Sequence, residues 1–273
     1  MKQKSSKKLL STSLLLVLIA LVSLTAATTA WMTIADSTRL KTMRLDVTSG
    51  ANLRFDLDSH ETFEEYVKSL RLIDIADRIL RDQGYHPREN PLSPVTTTDC
   101  IHFTLENGEP AATESYMEFV LHFMATDDMV VHLTTAGEEG TRIFSDEVSD
   151  IAKAMRISFT ADDSTAVYDP GMEPGSEEGL GGKIFGLARG NRIVYDASNT
   201  LFFLKAGVDK PVTVRIWLEG TDEICTDALR GVPYHIQLRF VGTDENGNLL
   251  EDSRTTTRRS AAATPTEERN ENK

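Results

Sequence analysis

The chain has 273 residues, 40% hydrophobic and 26% charged, which excludes a disordered or fibrous polypeptide and supplies apolar material for one large domain or two small ones. Its formal charge is −13, and removing Lys2, Lys4, Lys7 and Lys8 from the 29 basic residues leaves 25 against 42 acidic ones, or −17. Nucleic acid and anionic lipid bind mainly through Lys and Arg, so a body this acidic excludes nucleic acid as a partner and leaves the membrane to the N-terminal segment alone.

From Leu9 to Ala35 there is no charged residue, and Leu14 to Leu24 forms an apolar core behind the four lysines. This is the pattern of an export signal. The small residues Thr25 to Ala30 suit a signal peptidase, whereas the full uncharged stretch exceeds the roughly 20 residues that cross a bilayer. Residues 1–30 are therefore expected to be a cleaved signal or an uncleaved anchor, with the rest of the chain outside.

The body, residues 31–250, reads as mainly β. Met43, Leu45 and Val47 alternate with Arg44 and Asp46, and Leu53, Phe55 and Leu57 with Arg54 and Asp56, the period that puts every second side chain on one sheet face. From Asp58-Ser59-His60-Glu61 to Gly84, apolar residues from Phe63 to Leu80 recur at helical spacing, predicting one amphipathic helix of about six turns, inserted at 59–84. Pro87, Pro91 and Pro94 mark an irregular connection.

Strands resume at Ile101 to Leu105, turn at Asn107-Gly108, and continue through Met117 to Phe123 and Val131 to Leu133. A short helix is expected from about Ser145 to Lys153, then a strand through Met155, Ile157 and Phe159. The glycine-rich stretch from Tyr168 to Asn191 lacks the Gly-Lys-Ser/Thr ending of a phosphate-binding loop and reads as a surface loop. The last strands run through Val212 to Leu218 and Tyr234 to Val241, followed by a hairpin turn at Asp244 to Asn248. Residues 251–273 are polar and are expected to be disordered. Together these elements predict an antiparallel β-sandwich, of which a jelly roll is one form, with one long helix inserted.

Chemistry-bearing residues are scattered. His102, His122 and His132 lie on expected strands and would make a metal site only if they converged; solvent-facing histidines are the plainer reading. No His-Glu-x-x-His or Gly-x-Ser-x-Gly occurs, so no catalytic residue, metal or cofactor is assigned. Asp127-Asp128 and Asp162-Asp163 fall at expected turns. Cys100 and Cys225 lie in the exported part, where a disulfide is chemically allowed; two separate thiols are the alternative. Arg215 and Trp217 share a strand face and form a candidate surface contact.

The basic apolar N-terminus followed by Thr28 to Thr33, then Asp36 to Arg39 and a first strand ending near Gly50, resembles exported Gram-positive proteins with a SipW-type signal peptide, the broad group that includes TasA and camelysin. Ala154 to Phe159 with Tyr168-Asp169-Pro170, and Val214 to Asp222, are similar to segments recurring in such proteins. The resemblance implies a jelly-roll-like sandwich and a cell-surface or matrix role, in which the mature N-terminal segment of one fibre subunit completes the sheet of the next. It makes Met43, Leu45 and Val47 the candidate strand donor. The protease activity described for camelysin is not implied, because no zinc motif is present. The segment from Ser59 to Pro94 enlarges the body beyond a minimal fibre subunit. The expected function is a non-enzymatic structural or interaction protein of the cell surface or matrix, self-associating or meeting other surface proteins. The alternatives are a surface-anchored carbohydrate- or peptide-binding module using Trp217 or the loop from Gly171 to Gly190, and a hydrolase with a site assembled from scattered residues.

Overall fold

A computed structural model describes residues 40–48, 52–147, 149–226, 229 and 231–250. The signal or anchor segment, the start of the mature chain and the polar tail lie outside them. The alternating runs become strands β1 (Leu40–Val47), β2 (Leu53–Asp56), β3 (Ser69–Arg71), β4 (Pro94–Thr97), β5 (Phe103–Thr104), β6 (Met117–Ala125), β7 (Met129–Leu133) and β8 (Arg142–Phe144). After them come β9 (Met155–Ala161), β10 (Ser164–Tyr168), β11 (Gly175–Gly179), β12 (Gly182–Gly186), β13 (Thr200–Leu204), β14 (Lys210–Glu219) and β15 (Tyr234–Thr243).

Two sheets form. The six-stranded one runs β13-β7-β15-β1-β3, with β8 beside the first half of β15; the nine-stranded one runs β11-β12-β10-β9-β14, after which β14 is flanked by β6 and β2 along its start and by β4 and β5 at its end. The inner faces meet in one core. Phe240 of β15 lies 5.7 Å from Phe55, 5.2 Å from Phe123 and 5.9 Å from Phe159, ring centre to ring centre, and all four rings are buried. Because Phe55, Phe123 and Phe159 belong to the other sheet, this contact makes the molecule a β-sandwich.

The sheets are mixed rather than purely antiparallel: β1 runs parallel to β15, β10 to β12, and β14 to β4. Such pairs need long crossovers. The segments from β1 to β15 and from β4 to β14 supply them.

The long helix is a correction. Only α1 (Leu72–Gln83) is α-helical, with Leu72, Ile75, Ala76 and Ile79 buried. Ahead of it, Phe63–Glu65 is a single 3-10 turn, and the Val67 amide and carbonyl bond to Phe55 as in a sheet. Arg71, which pairs with Arg44 as the last residue of β3, is extended, and its N–H donates to the Asp74 carboxylate at 2.9 Å, starting the helix there. Gly84, at φ 81°, ends it with its N–H on the Leu80 carbonyl. The helix near Ser145 likewise shrinks to α2 (Ile151–Ala154).

The glycine-rich stretch is a second correction: it contains the β11–β12 hairpin, which adds to β10. A Cβ on Gly182 would stand 2.2 Å from the Thr165 carbonyl oxygen, and one on Gly186 2.3 Å from that of Met172. Here glycine permits close backbone approach.

Candidate functional site

Several residues singled out in the sequence are structural. Arg215 and Trp217 do share a face of β14, but Trp217 is 0% exposed, so it is no surface contact. It packs with Val95, Cys100, Phe103 and Val167 in a second core on the outer side of the nine-stranded sheet, and its indole N–H donates to Glu219 Oε2 at 2.9 Å. Arg215 pairs with Glu118, and the guanidinium-on-ring contacts belong instead to Arg54 with Phe63 and Arg142 with Phe144.

No disulfide joins Cys100 to Cys225. Cys100 is enclosed in the second core, where burial pushes its thiol up to about 11, whereas Cys225 packs against the main core. Two packing environments separate the pair.

The histidines do not converge. His102 lies 2.7 Å from Asp99 on the surface, His122 2.9 Å from Asp209, and buried His132 2.7 Å from Asn199 Oδ1 and 3.2 Å from Thr243 Oγ1. Among the described residues, no group of three or more His, Cys, Asp or Glu is placed to hold a metal. Burial depresses the His132 pKa, with its Asn199 bonds opposing the shift.

Ser59, His122 and Asp209 do meet, together with Tyr66. The Ser59 hydroxyl donates to Asp209 Oδ2 at 2.9 Å rather than to the imidazole, so the order needed to activate a serine is not made. Burial works against Asp209 ionisation, but the bonds from His122, Tyr66 and Ser59 hold its pKa below the usual range. The acidic pairs serve turns. Asp128 accepts the Ala206 N–H, Asp127 accepts from Asn52, and Asp162 pairs with Lys210.

Met43, Leu45 and Val47 form the inward row of β1, between β15 and β3. The slot a donated strand would enter is filled by the chain's own segment.

The surface that stands apart is the outer face of this same sheet. Inward placement of Met43 and Leu45 turns Thr42 and Arg44 outward. The ladder then sets Arg71 opposite Arg44, Arg44 opposite Gln237, and Gln237 opposite Arg142, one row across β3, β1, β15 and β8. The neighbouring row is Thr42, His235 and Phe144. The Thr42 hydroxyl lies 2.8 Å from His235 Nδ1, His235 Nε2 lies 3.0 Å from Asp146, and the imidazole stacks on Phe144 at 4.7 Å.

A groove of about 430 Å³ opens over these rows, lined by Lys41, Arg44, Arg71, Arg88, Phe144 and Gln237, with half-exposed Ile73 as its apolar part. Like charges set directly opposite in a ladder repel. Arg44 is compensated, with Asp46 at 2.6 Å and Glu139 at 3.1 Å. Lys41, Arg71 and Arg88 form no ion pair among the described residues, although the chain as a whole is acidic. Gln237 adds a shielded Nε2 donor without a hydrogen-bond partner among the described residues.

Sequence reading missed this groove. Its register is nonlocal, and Arg71 was hidden by the expectation that it sat inside a helix. The outward alternation of Arg44 against Met43 and Leu45 was the one local signal.

The chain matches no protein-family model, no curated protein and no solved structure. The assignment of a role therefore rests on the groove and on the N-terminal sequence.

Proposed function

We propose that the chain is an exported structural or interaction protein of the cell surface or extracellular matrix, acting by binding rather than catalysis, with the cationic groove as its contact for a negatively charged partner. The export half of this reading is supported by the basic and apolar N-terminal segment. The observation that carries the binding half is the grouping of Lys41, Arg71 and Arg88, none of them ion-paired among the described residues, around one groove on an acidic molecule. Each such charge costs self-repulsion when the groove is empty and gains Coulomb energy when an anion enters. Assembly by exchange of β1 between copies fits the same role, because an exchanged strand would remake the ladder it has with β15 and β3 in its own chain.

Incubation of the purified full chain with envelopes isolated from its native cells tests the binding role. Retention should fall as salt rises, and an Arg71→Ala/Arg88→Ala variant should lose most of it with unchanged thermal melting. Equal retention of variant and parent at all salt concentrations would remove the groove from the function.

A further inference from the structure

We infer that the groove is a site for a phosphate ester carried on a sugar-sized body, an inference that rests on the binding role proposed above. Three features of the groove point to this ligand class. The first is charge. Lys41, Arg71 and Arg88 bring three positive charges without an ion pair among the described residues, more than one carboxylate neutralises. A phosphate monoester carries a charge of about −1.5 to −2 near neutral pH and presents three acceptor oxygens. Guanidinium forks match those oxygens in pairs, and an ammonium serves as the point charge beside them.

The second is the lone donor. Gln237 sits between Arg44 and Arg142 in the cross-strand row, and its shielded Nε2 has no acceptor among the described residues. An unmet donor at a groove wall costs free energy until a ligand oxygen reaches it. A hydroxyl or ester oxygen on the ligand body accepts from this donor once the amide turns toward the groove.

The third is the apolar part. Phe144 is held flat by His235 stacking and by Arg142, whose guanidinium carbon lies 4.7 Å from its ring centre. Half-exposed Ile73, with the part of this ring left uncovered by its two neighbours, is the apolar surface that meets the C–H groups of a sugar. At about 430 Å³ the groove takes a molecule of monosaccharide size, toward the lower end of small-ligand sites, which run from about 300 to 1,000 Å³. Phosphate on the cationic side chains and a sugar against Ile73 use these features together.

Calorimetric titration of the full chain separates the sources of this chemistry. The probes are glucose 1-phosphate, inorganic phosphate, glucuronate, glucose, and vesicles containing phosphatidylinositol. Glucose 1-phosphate should bind most tightly, inorganic phosphate more weakly, and glucose and the vesicles not measurably. Arg71→Ala and Lys41→Ala should each weaken glucose 1-phosphate by about tenfold, the scale of one charge-assisted hydrogen bond. Gln237→Leu should close the gap between glucose 1-phosphate and inorganic phosphate. Because Lys41 and Arg71 are exposed, their variants should keep the parent's melting temperature. Equal affinity for glucuronate, lost in the same variants, would overturn the phosphate assignment and leave the binding role standing. Vesicle binding without glucose 1-phosphate binding would transfer the ester to a lipid and overturn the sugar assignment. No binding of any anion, or binding indifferent to Arg71 and Lys41, would overturn the inference and the binding role together.

Discussion

Leu45→Lys is expected to abolish cooperative unfolding of the isolated chain. Leu45 is 0% exposed, faces the inner core from the middle of β1, and stands opposite Leu238 in β15 and Leu70 in β3. An ammonium there loses its hydration and finds no partner, at a cost of several kcal/mol. Domains of this kind hold only about 5–15 kcal/mol of stability in total, so little remains. Calorimetry or circular dichroism against temperature reads the outcome directly. A folded variant that stays monomeric where the parent assembles would instead assign β1 to a neighbouring copy, and unchanged melting with unchanged association would contradict both roles for this strand.

Phe240→Ala should destabilise the chain by about 3–5 kcal/mol, the range for removing a buried aromatic ring from a core. Its ring is 0% exposed and contacts Phe55, Phe123 and Phe159 of the opposite sheet, so its loss opens a cavity at the junction of the two layers. Urea unfolding should show a lower midpoint with a similar slope. A loss below about 1 kcal/mol would mean that the sheets do not meet at these rings.

Local pattern made the sandwich legible, and nonlocal pairing hid the rest. The alternation of Met43, Leu45 and Val47, or of Val212, Val214 and Ile216, specifies a strand and its buried face without help from the remainder of the chain. The helical spacing from Phe63 to Leu70 was equally regular, yet the Val67 backbone pairs with Phe55 and Leu70 is claimed by Leu45 across β1. Tertiary pairing outweighed a periodic signal there. Trp217 shows the same limit from another side. Its outward position on β14 was readable, but nothing local announces that Val95, Cys100 and Phe103 arrive from another segment to cover it. That same cover encloses Cys100 and keeps it apart from Cys225. The groove depends on the parallel β1–β15 pairing and on β3 and β8, and each of those two short strands contributes three residues. Such elements carry too few residues for a periodicity to show.

Anionic partners are proposed to enter the groove bounded by β1, β3, β8 and β15. Arginine footprinting tests it most directly: the full chain is modified with phenylglyoxal in the presence and absence of a sulfated dextran, and each arginine is quantified by mass spectrometry. Arg71 and Arg88 should be protected by the polyanion, while Arg81 and Arg192, exposed and outside the groove lining, should be labelled equally in both samples. Protection of Arg81 or Arg192 with Arg71 and Arg88 unchanged would place the binding surface elsewhere and contradict the account.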